Sequence, residues 1–531
     1  MPVGSSYGTL RASFRWAIPE SFNIGVACSD AHPAGDVALV EITPSGLREW
    51  TFGELSEQSN RFANALVGLG VEARNCVAFV LPQGGSAAIA HLGIYKLGAV
   101  ALPLSALFGS DALRHRLVDS GARVVVTGAG MLEQVAQIAA EVDATVICDA
   151  PVAAPHRELH ALLRDASPRF VSRDTAADDP AYLIYTSGTT ASPKGVLHAH
   201  RSLLGHLPCL ELGHDRFPQP GDRNWTPADW SWIGGLMDAV MPSLYLGVSV
   251  VAAPRAGFDP EWATRLIVDA GVRNAFIPPT ALRLMKAAGV SLPPGTLRSM
   301  ISGGETLGAD VLAWGEERLG VTIAEMYGQS EANLLVGNAP SVFAPRPGSM
   351  GRPYPGHEVE VLGEDDAPAA PGEDGEIALR LPDPVAFLGY LGAQEATAAK
   401  TRDGWLRTGD VAQRDEEGYI WFRGRADDLI MSSGYRISPL EVEQCLLRHE
   451  AVAAVAVVGA ADELRGQIVK AFVVPTAQVA PGEALGLELQ AFVRARLAAY
   501  EYPRLIEFVD ELPQTVTGKI RRSVLAGRAE A

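Results

Sequence analysis

Between Ala181 and Gly195 the chain reads AYLIYTSGTTASPKG, and this stretch limits the fold more than any other. Tyr182-Leu183-Ile184-Tyr185 has the length and the β-branched and aromatic content of a buried strand. It runs straight into Thr186, Ser187, Gly188, Thr189, Thr190 and Ser192, then Pro193-Lys194-Gly195. Five hydroxyls, two glycines and one lysine in ten residues suit a loop whose N–H and O–H groups wrap an anion. The lysine would act as a mobile point charge. A plain Ser/Thr/Gly surface loop has a similar composition, but the strand in front and the lysine behind favour the anion loop. Glycine, not serine or threonine, follows Lys194, so this is not the G-x-x-x-x-G-K-[ST] loop of common NTPases.

At 531 residues the chain is too long for one core and is expected to divide into two or three domains. Hydrophobic content of 47% with 20% charged residues is that of an ordinary globular α/β protein. A net charge of −18 argues against non-specific binding of nucleic acid or anionic membranes, though not against small anions, which respond to local charge. Cys28, Cys76, Cys148, Cys209 and Cys445 are scattered, odd in number and lack C-x-x-C spacing, which suits reduced thiols and offers no metal site. No basic-then-apolar signal pattern opens the chain. The most apolar run, 451–460, is about half a membrane span. A soluble cytoplasmic protein without a membrane span is the expectation.

Leu55, Phe62, Leu66 and Leu69 recur at helical spacing, and strands are expected at Val77–Leu81, Val100–Pro103, Val124–Thr127 and Thr145–Cys148. Strand and helix patterns alternate to about residue 305, implying parallel, doubly wound sheets with crossover helices. From Val359 to Phe422 the texture changes to short strands and Gly/Asp turns, a small β-rich subdomain. In the last hundred residues, Ser438-Pro439-Leu440-Glu441 reads as a capping box with proline at the first helical position. Strands at Val452–Val458, Val469–Val474 and Leu505–Val509 and a helix near Leu487–Ala498 complete a compact α+β domain. The expected fold is α/β: a large domain over residues 1–426 and a small mobile α+β domain over 427–531. The polar, glycine-containing segment 422–428 before it suits a hinge.

Four further constellations carry chemistry. Ser302-Gly303-Gly304-Glu305 follows the apolar run Leu297–Ile301, placing a glycine turn at a strand end, where ligands of α/β sheets sit. Met326-Tyr327-Gly328-Gln329-Ser330-Glu331 gathers an aromatic ring, a hydroxyl and a carboxylate, and a carboxylate near phosphates is the usual way to hold Mg²⁺. Gly404-Trp405-Leu406-Arg407-Thr408-Gly409-Asp410 could set Asp410 against a ribose diol, although a Gly-Asp turn reads the same way. Pro513-Gln514-Thr515-Val516-Thr517-Gly518-Lys519 offers a lysine on a polar loop, by default a solvated one.

In their order, YTSGTTASPKG, GGE, YGQSE, GWLRTGD, GRADDLIMSSGYRISPLEVE and PQTVTGK closely resemble the adenylate-forming acyl-CoA synthetase superfamily. The resemblance spans nearly the whole chain. Its C-terminal third is most similar to medium-chain acyl-CoA synthetases, notably at Ser432–Ile437 and Glu501–Arg504. It implies a ligase that joins a carboxylate to the ATP α-phosphate, releasing pyrophosphate, and then passes the acyl group to CoA. By similarity, Thr186, Ser187, Gly188, Thr189, Thr190 and Lys194 grip the β- and γ-phosphates. Ser330 contacts the α-phosphate and Glu331 binds Mg²⁺. Gly303, Gly304, Glu305 and Tyr327 frame the adenine, Asp410 holds the ribose hydroxyls, and Arg425 and Arg436 lie beside ribose and phosphates. Lys519 is the adenylation lysine. Asp427 matches the hinge residue, and Ser433, Gly434 and Tyr435 line the thiol tunnel.

For the acid, acetate-specific relatives close the pocket with a tryptophan where this chain has Gly328, so a larger pocket is expected. The segment 225–235, with Trp225, Trp230 and Trp232, is expected to line it through Trp230, Ile233 and Gly234, together with Ser302. Short- to medium-chain or branched acids come first, aryl and arylalkanoic acids close behind. An amino-acid-activating enzyme is the lesser alternative, because Asp229 lies near where such proteins hold the amino group, but no carrier domain is expected and the loop at Ser433-Gly434 is of the CoA type. A luciferase-like oxygenase shares the adenylation half, and a non-catalytic nucleotide sensor would be expected to lack Lys519 or Glu331. Three departures stand out: Ala191 for glycine in the phosphate loop, Ser330 for threonine, and Gln514 for a lysine in the terminal motif. None removes a catalytic group. The oligomeric state is left open.

Overall fold

The computed structural model describes residues 4–186, 193–255, 257–432, 435–462, 465–477, 479–497, 501–515 and 519–530, without the side chains of Arg436 and Glu530. Two compact units result. One holds Pro193–Val359 and Leu379–Leu406 with the described residues up to Thr186; the other holds Glu360–Ala378 and the described residues from Arg407 onward. The strand Ile420–Arg425 thus shares a unit with the C-terminal segment, and this division falls earlier in the chain than 426/427. Leu379–Leu406, in the middle of the expected β-rich subdomain, belongs with the large unit.

The larger unit is built on two sheets. In the eight-stranded one, Cys76–Val80 lies between Val100–Pro103 and Val124–Thr127, all parallel, with Val77 opposite Ala101 and Val124. The helix Phe52–Gly68 starts at a capping box between Thr51 and Glu54 and buries Leu55, Phe62 and Leu66. The helix Gly85–Leu97 is buried on nearly every side and stops at Gly98, whose φ of 71° suits a residue without Cβ. Both helices join the apolar cluster that holds Val77, Phe79 and Ala101 of this sheet and Leu39, Val250 and Ala252 of the other.

The parallel alternation stops at the sheet edges. Pro180–Thr186 runs parallel to Val100–Pro103 but antiparallel to Lys194–Ala199, with Thr186 opposite Lys194. A short loop cannot make a parallel crossover, so the two strands flanking the hydroxyl-rich segment form a hairpin. The nine-stranded sheet repeats the pattern. Asn274–Phe276, Ser299–Gly303 and Ile323–Gln329 are parallel neighbours, and Ala332–Gly337 returns antiparallel to the last. The Gly-Gln-Ser-Glu motif therefore sits at the turn of a hairpin.

In the smaller unit Val452–Asp462 and Gly466–Pro475 form a long antiparallel pair, with Leu505–Phe508 parallel to the second. The helices Pro439–Leu446 and Glu483–Arg494 bury Val442, Leu446, Leu489 and Val493 against Val455, Val457 and Ala471. The second helix begins earlier than expected. Leu485, Leu489 and Val493 form its inner face, whereas Leu487, taken as its start, is 61% exposed. Ser438 caps the first helix as expected, but Glu441 pairs with Arg423 at 2.9 Å instead of closing a capping box. Among the described residues no helix is long and apolar enough to cross a membrane.

Candidate active site

Two of the expected site residues meet around Tyr390. Its hydroxyl donates to Glu331 Oε1 at 2.5 Å, and Lys194 Nζ stands 5.1 Å from its ring centroid. Glu331 is 9% exposed, and its backbone carbonyl accepts from the Phe387 N–H at 2.9 Å. Its Oε2 has no hydrogen-bond partner among the described residues. A carboxylate with one oxygen fixed and the other unengaged suits a hard cation held mostly by phosphate and water. No cluster of three or more potential metal ligands occurs among the described residues. Tyr390 carried no signal in the sequence, lying in an unremarked segment 59 residues beyond Glu331.

Next to Glu331, the Ser330 carbonyl accepts from His198 Nε2 at 2.7 Å. His198 is fully buried, stacks on Tyr182 and is held neutral, because burial drives its pKa down to about 3. The turn is thereby pinned to the strand that starts at Lys194. Ser187, Gly188, Thr189, Thr190 and Ala191 lie outside the described residues, as do Ser433 and Gly434.

The Gly-Gly-Glu segment owes its glycines to geometry. A Cβ on Gly303 would stand 2.6 Å from the Met326 carbonyl oxygen, and Gly304 adopts φ +97°. Glu305 forms an ion pair with Arg283 at 2.7 Å. Below it, Glu325 is buried and accepts the Leu307 N–H at 3.1 Å, and burial pushes its pKa up to about 7. Tyr327 stands half-buried on the same strand, opposite Val336.

The residues expected around the acid are buried or half-buried. Ser302 is used internally, donating to the Ile277 carbonyl at 2.7 Å. Trp225 packs into a separate core with Ile267 and Leu282, so it does not line a pocket with the other two tryptophans. Trp230 and Ile233 lie in the core between the sheets, and the Trp230 indole N–H has no partner among the described residues. Trp232 meets Phe108 edge-on at 5.6 Å. At Gly328 the backbone leaves no room for a side chain to begin. A Cβ there would stand 2.3 Å from Leu334 N and 2.8 Å from Asn333 Cα. The hairpin is bulged at this point and Leu334 takes φ +58°, which brings backbone where the missing side chain would start.

Residues the sequence reading passed over lie behind Gly234 and Gly328. Asn333 Nδ2 donates to Asp238 Oδ1 and approaches His206 Nε2 at 3.2 Å, while His206 Nδ1 lies 2.6 Å from the Ser202 carbonyl. All three side chains are buried. The available signal was a single aspartate in the apolar run Ile233–Tyr245.

In the smaller unit Asp410 and Arg425 face each other across paired strands, 3.3 Å apart, with Asp410 only 5% exposed. Asp427 is exposed in the turn that follows. Beside it Asp428 lies 4.0 Å from Arg522, which also holds the buried Glu443 at 2.7 Å. Tyr435 is half exposed opposite Ser432, and Arg436 lies opposite Met431 in the same hairpin. Lys519 is exposed, and its N–H donates to Thr515 Oγ1 at 3.1 Å.

Residues 27–391 match the AMP-binding enzyme family and residues 441–519 the AMP-binding enzyme C-terminal domain. The chain is 34% identical to the uncharacterized acyl-CoA ligase YtcI of Bacillus subtilis, over 96% of this chain and 97% of that protein. It is also 34% identical to the mitochondrial acyl-coenzyme A synthetase ACSM2 of Rattus norvegicus, over 90% and 85%. Among solved structures, the anthranilate CoA ligase AuaEII in complex with anthranoyl-AMP superposes with a TM-score of 0.87 at 30% identity, covering 97% of this chain and 98% of that one. With both family matches in order and relatives of this similarity along nearly its full length, the chain belongs to the AMP-binding enzymes and is a ligase of the AMP-forming acyl-CoA synthetase kind, using ATP and CoA.

Proposed function

We propose that this ligase activates a short- to medium-chain or branched carboxylic acid in the cytoplasm. A carboxylate oxygen attacks the ATP α-phosphorus, the bond to the β-phosphate oxygen breaks, and pyrophosphate leaves. The CoA thiolate then attacks the acyl carbon, the bond to the AMP oxygen breaks, and AMP leaves. The first step builds negative charge on the α-phosphate, so fixed donors and cations there lower its barrier.

The observation that carries this reading is the Glu331–Tyr390–Lys194 cluster at the mouth of the hydroxyl-rich hairpin. Lys194, Thr186 and Ser187 to Thr190 are assigned to the terminal phosphates and Ser330 to the α-phosphate. Gly303, Gly304, Glu305 and Tyr327 are assigned to adenine, and Asp410 and Arg425 to the ribose side. Mg²⁺, taken up through Glu331 Oε2, would neutralise phosphate charge. Lys519 and Arg436 are assigned to the adenylation step and Ser433, Gly434 and Tyr435 to the CoA arm. Asp427 is the hinge between half-reactions, with mobile residues 427–531 turning about it. Resemblance to medium-chain synthetases favours aliphatic acids, and similarity to an anthranilate CoA ligase supports aryl acids as the second reading.

ATP–pyrophosphate exchange with acids from acetate to decanoate, branched, aromatic and amino acids, each repeated with CoA, tests it. A peak between C4 and C8 with CoA-dependent thioester is expected. Exchange with amino acids alone and no thioester would overturn the assignment.

A further inference from the structure

Asp238 is the one charged residue in the run Ile233–Tyr245, and it sits in the wide helical turn Leu236–Val240. Turns of this type interrupt helices most often at functional sites. Its partners fix which of its oxygens is engaged. A carbonyl only accepts, so His206 Nδ1 must donate to Ser202. Burial keeps His206 neutral, its pKa lowered to about 4, so Nε2 carries a lone pair and accepts from Asn333. The Asn333 amide has two hydrogens: one serves His206 and the other Asp238 Oδ1.

Asp238 Oδ2 is the loose end of this chain. It has no hydrogen-bond partner among the described residues, although Asp238 is only 4% exposed. A Cβ on Gly234 would stand 3.4 Å from this oxygen and 3.2 Å from the Phe276 ring edge. Asn333, which holds it, is the residue whose backbone closes over Gly328. Two glycines expected at the acid pocket, on separate elements, therefore abut the same buried pair. Desolvation raises the Asp238 pKa well above the ordinary carboxyl value. No cation pairs with Asp238 among the described residues, so burial favours its neutral form, and with Oδ1 already accepting, the hydrogen of that form would sit on Oδ2 as a donor.

We propose that Asp238 is a specificity residue whose Oδ2–H donates to a hydroxyl or carbonyl oxygen at the far end of the acid, so that oxygenated acids are preferred over plain alkanoates. This rests on the ligase reading above and names its substrate class. Asn333 and His206 are the positioning residues. A methyl end would leave the buried donor unpaired, and sites built around such a donor discriminate strongly against analogues that lack the partner.

The test compares kcat/KM for hydroxy or oxo acids and the alkanoates of equal length, C4 to C8, by pyrophosphate release with CoA present. The wild type is expected to favour the oxygenated member by roughly ten- to a hundredfold. Asp238→Asn should keep the preference, because its amide can accept from Asn333 and still donate from the other atom. Asp238→Leu should abolish it with the KM for ATP held. Equal wild-type values, a preference for amine-bearing acids, or an unchanged ratio in Asp238→Leu would overturn the proposal while leaving the ligase reading intact. No exchange with any acid would overturn both. If Asp238→Leu fails to fold, the wild-type ratio alone still decides.

Discussion

Glu331 and Asn333 stand two residues apart on one hairpin, yet their surroundings differ in kind. Glu331 has one oxygen held by Tyr390, whose ring centroid lies 5.1 Å from the exposed Lys194 Nζ, and the other unengaged. Asn333 spends both amide hydrogens on buried partners, and the loose end of its network is one atom further on, at Asp238 Oδ2. On the proposed nucleotide side Glu331, though only 9% exposed, keeps one oxygen for a ligand that brings its own charge. On the proposed acid side a single polar atom is worth far more, since an unmatched buried donor is not rescued by water. On this proposal, chemistry and choice are carried by different kinds of residue.

The largest expected effect lies on the chemistry side. Lys519→Ala should lower acyl-AMP formation by roughly a hundred- to a thousandfold, about 2.7–4 kcal/mol. Thioester formation from supplied acyl-AMP and CoA should be largely retained, as single-turnover assays would reveal. Equal losses in both steps would remove the distinction between the half-reactions.

Glu325 gives a pH test of the scaffold beneath the Gly-Gly-Glu segment. Its carboxyl is raised from the ordinary 4.5 to about 7, so the native state favours the proton. Its stabilising share is complete below pH 4.5 and is lost as pH rises through 7, a difference of ~3 kcal/mol. Glu325→Gln should therefore match the wild type in Tm near pH 4.5 and exceed it at pH 8. A wild-type advantage at pH 8 would show that the carboxylate is satisfied when ionised.

Glu331→Gln should cost about a hundredfold in pyrophosphate exchange and shift the Mg²⁺ dependence to higher concentrations. Unaltered Mg²⁺ titration would remove Glu331 from the metal. The smallest effect is expected from Asn333→Ala, which orphans His206 Nε2 and Asp238 Oδ1 and should lower stability by ~2 kcal/mol in urea denaturation. An unchanged midpoint would mean that the buried network is dispensable for folding.

These contrasts also explain what could be read from the chain. The strand before Thr186, the helices at Phe52 and Pro439 and the C-terminal strands were legible because apolar period and caps are local signals. The motifs around Lys194, Ser302, Glu331, Asp410 and Lys519 were legible as contiguous words. Tyr390 was not, because its role depends on Glu331, distant in sequence. Nor were His206 and Asn333, which look like ordinary polar residues until three separate elements bring them to Asp238. The backbone over Gly328 was hidden for another reason: a bulge and a positive φ at Leu334 leave little trace in residue types.

The most direct measurement is a crossed comparison of wild type, Glu331→Gln and Asp238→Leu, each assayed with one oxygenated acid and its alkanoate at a series of Mg²⁺ concentrations. Glu331→Gln should lower both rates together and leave their ratio intact. Asp238→Leu should level the ratio and leave the Mg²⁺ dependence as in the wild type. If Glu331→Gln changed the ratio, or Asp238→Leu changed the Mg²⁺ dependence, the separation of chemistry from choice would be contradicted.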